Sequence, residues 1–263
     1  MGVNLKLTSG AFSYGNGYVF EDLNLQLNDG EVFSILGPNG CGKSTLLRCL
    51  SGHLRLGKGC IMLGGCDISS LNPVNVAKKI GIVFQDHSVP FPYPVIEVVR
   101  MGRAPHLSVF ASPSQEDTEI AEEMLETVGI YHLKDKPYTQ ISGGERQLTL
   151  IARTLTQQPE IILLDEPTSH LDFRNQVLIL NIIDKLSQSG FSIIMSSHFP
   201  NHVLSLSSKV ALMNTGRFIA VGQAEEVMTE GNLKETYGIE VQVISYKDPQ
   251  TNESMRLCIP KKL

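Results

Sequence analysis

Eight consecutive residues, Gly37-Pro38-Asn39-Gly40-Cys41-Gly42-Lys43-Ser44, have the types and spacing needed to grip a phosphate. They match G-x-x-x-x-G-K-S/T between an apolar strand-like run, Glu31–Leu36, and a helically spaced one, Ser44–Ser51, which is the context that pattern requires. The glycines let backbone N–H groups converge on phosphate oxygens, and the start of a helix adds positive potential. Lys43 can then reach the β- and γ-phosphates, and the Ser44 hydroxyl can ligate Mg²⁺. A chance match in a chain of this length has odds of roughly 1% at average residue usage.

Asp165-Glu166 directly follows the apolar run Ile161–Leu164, so both carboxylates emerge at the carboxyl end of a buried strand, where a nucleotide would sit. Asp165 suits a Mg²⁺ ligand, and Glu166 a group that orients or deprotonates an attacking water. Ser142-Gly143-Gly144-Glu145 has the spacing of a helix capping box ahead of Leu148, Ile151 and Leu155. A cap needs no pair of glycines, whereas bare backbone at a helix start suits close approach to an anion. One chain has no use for two γ-phosphate sites; a dimer sharing them accounts for both. His198 and Gln85 each end an apolar strand-like run, Ile193–Ser197 and Ile80–Phe84. Tyr14 can stack an adenine base or simply pack.

Positioning these groups calls for strands alternating with helices, hence an α/β fold with a largely parallel, helix-covered sheet. The opening third reads as short strands, Leu5–Phe12, Leu23–Leu27 and Glu31–Leu36, broken at Gly15-Asn16-Gly17 and Asn28-Asp29-Gly30. From 88 to 153 the character changes to a helical insertion. Pro90, Pro92 and Pro94 are followed by helices over Val95–Met101, over Gln115–Val128 and after Ser142. The α/β pattern resumes with helix Asn175–Gln188, strand Ser192–Ser196, helix Asn201–Leu206, and strands Val210–Asn214 and Phe218–Val221. The tail, 241–263, reads as a hairpin of Val241–Tyr246 and Met255–Ile259.

The bulk properties exclude several classes. A chain of 263 residues with 42% hydrophobic and 19% charged content has an ordinary folded core, and a net charge of −5 gives no expectation of nucleic acid as a partner. The five cysteines form no C-x-x-C pair, so free thiols are expected rather than disulfides or zinc. No apolar run approaches the ~18 residues of a membrane span, and Met1–Lys6 shows neither a signal-peptide nor a myristoylation pattern. A soluble chain is expected, any membrane link coming through a partner. Cys41 lies beside a helix start, which should lower its pKa and make it reactive.

Taken together, these residues resemble the nucleotide-binding subunit of ATP-binding cassette transporters across essentially the whole chain. The resemblance assigns a P-loop (Gly37–Thr45), a Q-loop (Gln85) and a signature (Ile141–Glu145). It adds a strand ending in the catalytic glutamate (Ile161–Glu166), a D-loop (Ser169-His170-Leu171-Asp172), a switch histidine (His198) and an adenine-stacking aromatic (Tyr14). It implies a single P-loop NTPase domain. A RecA-like core sheet and an antiparallel β subdomain occupy 1–87 and 154–240, with an α-helical subdomain at 88–153 and a C-terminal hairpin at 241–263. The nucleotide would be ATP with Mg²⁺ held by Ser44, Gln85 and Asp165, and catalysis would involve Lys43, Gln85, Glu166 and His198. Two copies would pair head to tail, each P-loop facing the partner's Ser142–Glu145. The signature departs from the common Leu-Ser-Gly-Gly-Gln at Ile141 and Glu145; neither change removes the serine or the glycines.

The P-loop, signature, Pro167–Asp172 segment and terminal hairpin are similar to those of metal-chelate importers, which carry iron(III)-siderophores, cobalamin or haem. The stretch Phe91–Arg103 is also similar to members assigned to molybdate or tungstate. Such subunits sit peripherally on the cytoplasmic side of the cell membrane, bound to permease subunits that receive cargo from a periplasmic or lipid-anchored solute-binding protein. Val89, Phe91, Tyr93 and Val95 either line the groove for the permease or cap the helical insertion's own core. The rival reading is a soluble cassette ATPase acting on DNA or ribosomes. No long coiled coil follows the P-loop, and one cassette is present rather than two. A kinase or small GTPase would leave Ser142–Glu145 without a role.

Overall fold

The computed structural model describes residues 4–15, 17–85, 91–108, 110–247, 249, 252 and 254–261. The readings placed on Met1–Val3, Asn16, Val89 and Pro90, and on Asp248, Gln250 and Thr251 of the hairpin turn, lie outside the described residues. In chain order the elements begin β1 (Leu5–Ser13), β2 (Tyr18–Leu27), β3 (Val32–Leu36), α1 (Lys43–Leu50), β4 (Lys58–Leu63), β5 (Cys66–Asp67), α2 (Pro73–Lys79) and β6 (Ile80–Val83). Next come α3 (Val95–Arg100), α4 (Gln115–Thr127), α5 (Gly143–Thr156), β7 (Ile161–Leu164) and α6 (Phe173–Gln188). The chain closes with β8 (Ser192–Ser197), α7 (Pro200–Leu206), β9 (Lys209–Asn214), β10 (Arg217–Gln223), α8 (Ala224–Val227), α9 (Glu230–Tyr237), β11 (Val241–Lys247) and β12 (Ser254–Pro260).

Six strands form the central sheet in the order β10-β9-β3-β8-β7-β6. The five from β9 to β6 run parallel, and only the edge strand β10 is antiparallel. Because side chains alternate across a strand, this sheet divides the interior. Ile161 and Leu163 face one core with Phe33, Ile35 and Ile194, while Ile162 and Leu164 face the other with Leu36, Ile193 and Met195. The unbroken apolar run of β7, and the complete burial of β3 with Ser34 as its one polar residue, follow from burial on both faces. A second, antiparallel sheet, β2-β1-β4-β5, encloses the first core, and β11-β12 form a separate hairpin.

Between β6 and β7 the described chain is helical. The capping box at the start of α4 is closed by Ser114 and Asp117, and α3, α4 and α5 bury Val95, Val98, Val99, Ala121, Leu125 and Ile151 together. Val95 is fully buried, so of the two alternatives it caps the insertion's own core; Phe91 and Tyr93 are exposed. Arg103 is buried too. Its Nε donates to Asp117 Oδ1 at 2.8 Å, and its guanidinium also donates to Thr156 O at 3.0 Å and Gln158 Oε1 at 2.9 Å. Arg103→Ala therefore removes the charge partner of Asp117 Oδ1, whose other oxygen Ser114 still holds, and the donor to buried Thr156. The expected loss is about 3–5 kcal/mol, read as a lower denaturant midpoint with unchanged slope; an unchanged midpoint would contradict this role.

Helices α2 and α9 are not anticipated by apolar periodicity. Only Val76 of α2 is buried, so its signal lies in the cap: Asn72 accepts from Val74 N–H, and Pro73 starts the helix. Strand β2 starts at Tyr18, five residues before the apolar run at Leu23.

Candidate active site

Asn72, Ser114, Ser142, Asp172 and Thr229 each accept an N–H at the start of their helices. Helix α1 differs: its N-cap is Gly42, with φ 111° and no side-chain acceptor, so its first donors stay available to an anion. The loop leading to it is held from behind. Gly37 N–H donates to Ser197 O at 3.2 Å, and a Cβ on Gly37 would lie 2.0 Å from Met213 O. Gly40, also at positive φ, has open space around it.

Asn39, Gly40, Gly42, Lys43, Ser44 and Thr45 line one side of a depression of about 360 Å³, with Val19, Gln85 and Glu166 on the others. Lys43 is buried and its ammonium is fully engaged. Nζ lies 2.9 Å from Gly37 O, 3.0 Å from Pro38 O and 3.2 Å from Glu166 Oε1. Its three donors are thus all taken up by the loop's own carbonyls and Glu166.

Parallel pairing of β3 with β8 and of β8 with β7 brings the loop beside the carboxylates. Ser44 Oγ donates to Asp165 Oδ1 at 3.0 Å, and Ser196 Oγ donates to the same oxygen at 2.7 Å. Burial pushes the Asp165 carboxyl up, against the pull of these two hydroxyls. Glu166 stands at φ 47°, a left-handed conformation uncommon for glutamate. Its N–H donates to Ser196 Oγ at 2.9 Å, and its carbonyl accepts from Ser169 N–H at 3.0 Å. Its carboxylate meets Ser169 Oγ at 2.8 Å, His198 Nδ1 at 3.0 Å and Gln85 Nε2 at 3.4 Å, all on Oε2. Burial pushes this carboxyl up, but Ser169, Lys43 and His198 outweigh it and hold it below its usual range. Glu166 is therefore an ionised acceptor at neutral pH.

The signature lies elsewhere on the surface. Ser142 Oγ accepts from Glu145 N–H at 3.3 Å while Glu145 Oε2 accepts from Ser142 N–H at 2.7 Å, closing the capping box and holding the Glu145 carboxyl below its usual range. The two glycines have different reasons. A Cβ on Gly144 would lie 2.5 Å from the Asn175 side chain at the start of α6, whereas one on Gly143 would meet only Leu171, at 3.8 Å. Packing accounts for Gly144; Gly143 is left exposed with room in front of it. None of Ser142–Glu145 lines the P-loop depression. Nor does Tyr14, which is 65% exposed and packs its ring edge-on against Phe12 at 4.8 Å.

Cys41 corrects an expectation. Its thiol is buried, and burial pushes its pKa up despite the nearby Lys43 charge and the backbone N–H donors. An alkylating reagent should therefore modify native chain much more slowly at Cys41 than at exposed Cys66; equal rates, read by peptide mass, would return Cys41 to the reactive class. All five cysteines are free. Ser196 and Ser169 carry no catalytic pattern in the sequence. The one available signal for Ser196 is a serine pair closing an otherwise apolar strand just before His198.

No helix among the described residues is long and apolar enough to cross a membrane. Residues 20–169 match the ABC transporter family. The chain is 37% identical over 245 residues to the iron(3+)-hydroxamate import ATP-binding protein of Bacillus subtilis, spanning 93% of this chain and 90% of that one. It is 37% identical over 225 residues to the molybdate import ATP-binding protein of Haemophilus influenzae, spanning 85% and 83%. A solved transporter described as of metal-chelate ABC type, in an inward-facing conformation, superposes with a TM-score of 0.87 at 33% identity, over 99% of this chain and 98% of that one. With a P-loop in front of an ionised, anchored glutamate and these relatives spanning most of its length, the chain belongs to the ABC transporter family, as an ATP-hydrolysing subunit.

Proposed function

We propose that this chain powers import of a metal chelate of the iron(III)-siderophore, cobalamin or haem kind, hydrolysing ATP between two copies arranged head to tail. The observation that carries the hydrolytic part is the anchored Glu166 carboxylate beside Lys43 and the P-loop. In this reading the triphosphate displaces Gly37 O, Pro38 O and Glu166 from the Lys43 ammonium and takes hydrogen bonds from the backbone of Gly40–Thr45. Glu166, released from Lys43 but still held by Ser169 and His198, accepts a proton from the attacking water. Gln85 sits on the same carboxylate oxygen and orients that water. Ser44 Oγ and Asp165 Oδ1, 3.0 Å apart, are hard oxygen donors fitting Mg²⁺, with Gln85 completing the protein's share and charge neutralisation at the phosphates as the chemistry supplied. Tyr14, exposed, is placed in the proposal as the adenine platform.

The exposed Ser142-Gly143 backbone is assigned to the partner copy's nucleotide. Residues 88–153 are proposed as a helical subdomain, 1–87 and 154–240 as the core with its β subdomain, and 241–263 as a hairpin extension. A groove of about 430 Å³ between α2 and the end of α5, lined by His53, Val76, Phe84, Met101 and Leu150 among others, is open to a helix from a permease. Exposed Phe91 and Tyr93, with ring centroids 6.0 Å apart, are assigned to the same partner. Such a complex would hold the chain peripherally at the cytoplasmic face of the membrane, fed by a solute-binding protein.

The test is co-expression with a candidate polytopic permease, followed by vesicle uptake of labelled ferric hydroxamate, cobalamin, haem and molybdate. Uptake of a chelate is expected, and uptake of molybdate alone would replace the cargo assignment. Tyr93→Asp should cut ATP-driven uptake by about tenfold or more while basal hydrolysis stays within about twofold, a loss of the order of one interfacial anchor. Equal loss of both activities would remove Tyr93 from the docking surface.

A further inference from the structure

His198 is followed by Phe199-Pro200-Asn201-His202, and this short segment is held from the C-terminal part of the chain at two points. At the first, the Tyr237 hydroxyl on α9 donates to His198 O at 3.3 Å. Burial pushes the Tyr237 phenol well up, so it remains a donor throughout the working pH range. At the second, Asn201 on α7 bonds the backbone of β12 twice. Cys258 N–H donates to Asn201 Oδ1 at 2.7 Å, and Asn201 Nδ2 donates to Cys258 O at 3.3 Å. One amide side chain therefore takes the place of a neighbouring strand for a hairpin residue that is itself buried.

The hairpin is fixed in turn. Val243 N–H donates to Glu230 Oε1 at 3.1 Å, and the Arg256 guanidinium donates to Glu225 O and Met228 O at 3.1 and 2.9 Å. Within the segment, the Phe199 ring lies 3.9 Å from the His198 ring and 4.8 Å from the His202 ring, centroid to centroid. His202 Nδ1 pairs with Thr168 Oγ1 at 3.2 Å, two residues beyond Glu166. The imidazole that meets Glu166 thus packs, tilted by 43°, against a residue whose backbone is clamped on both sides. A freely rotating histidine would need none of this.

We propose that Tyr237 and the Asn201–Cys258 clamp are positioning elements for His198, making the C-terminal hairpin a brace that sets the histidine against Glu166. The proposal rests on the reading of His198 and Glu166 as parts of the hydrolytic site. It fits a division of labour in which the phosphates are held by the P-loop while the brace serves the chemical step, so its loss should appear in kcat rather than in KM for ATP.

The test is a double-mutant cycle on the intact chain, measuring ATPase kinetics and melting temperature for Tyr237→Phe, Asn201→Ala and His198→Ala, alone and combined. Tyr237→Phe should lower kcat by about two- to tenfold, the size of one hydrogen bond, with KM for ATP unchanged. Asn201→Ala, losing two bonds, should lower it further. In the His198→Ala background both effects should vanish, because no imidazole remains to position. Equal losses with and without His198 would overturn the proposal in favour of a purely structural role, as would wild-type kcat in both Tyr237→Phe and Asn201→Ala. Wild-type kcat in His198→Ala alone would bring down the reading of His198 itself, and the brace with it, a result distinguishable from either.

Discussion

Glu166→Gln is expected to bind ATP and stop there, with turnover lowered by roughly 10²- to 10⁴-fold, the usual contribution of a positioned general base. The amide keeps the shape of the side chain and can still accept from Ser169 Oγ, now 2.8 Å from Oε2. What it loses is the negative charge that, in the proposed mechanism, takes the proton, and that pairs with Lys43 at 3.2 Å. Freed from that ion pair, Lys43 is more available to phosphate, so ATP affinity should hold or rise. The consequence is an ATP-bound dimer that accumulates because it cannot reopen by hydrolysis. Single-turnover assays with labelled ATP, together with size-exclusion chromatography in ATP, measure both halves. Turnover within about threefold of the parent chain would remove Glu166 from the chemistry, since a base cannot be that dispensable.

The second large effect is expected at Gly143, which does not line the Glu166 depression of the same chain. A side chain fits there in the isolated subunit, because an added Cβ meets only Leu171 at ordinary contact distance. Gly143→Asp should therefore fold, melt normally and bind ATP with unchanged affinity. It places a carboxylate at the exposed start of α5, where the partner's phosphates would dock, replacing a favourable helix-end field by charge repulsion. Hydrolysis should fall by at least about 10²-fold, comparable to losing a preorganised donor to a developing anion. Combined with Glu166→Gln, it should also abolish the ATP-dependent dimer. Hydrolysis near the parent rate would place the second phosphate contact elsewhere and remove the reason for a head-to-tail pair.

Much of the site was legible in the chain because its chemistry is local. The P-loop needs positive φ at Gly40 and Gly42 and an uncapped helix start, which residue type dictates within a few positions. The capping boxes at Ser114 and Ser142 are likewise contained within four residues. Buried strands such as β7 announce themselves by unbroken apolar runs. Legibility faded where burial supplied the deciding force. Beside the start of α1, Cys41 looks like a low-pKa thiol, yet the packed loop around it reverses the direction. Val95 is one more apolar residue after three prolines, and only the α3–α4–α5 packing turns it inward. Short α2 hid because one buried residue makes no period.

Sequence alone therefore determined which groups can grip phosphate, carry charge and begin helices, since those properties follow from side-chain type and near-neighbour geometry. Tertiary structure decided which of them meet. Strand order places β3 beside β8 and β8 beside β7, which sets Lys43 against Glu166 and Ser196 against the Asp165 carboxylate and the Glu166 N–H. Packing of α7 on β12 likewise brings Asn201 to Cys258, 57 residues away. Such meetings arise from how whole elements bury their apolar faces, a global balance that no short window of sequence contains.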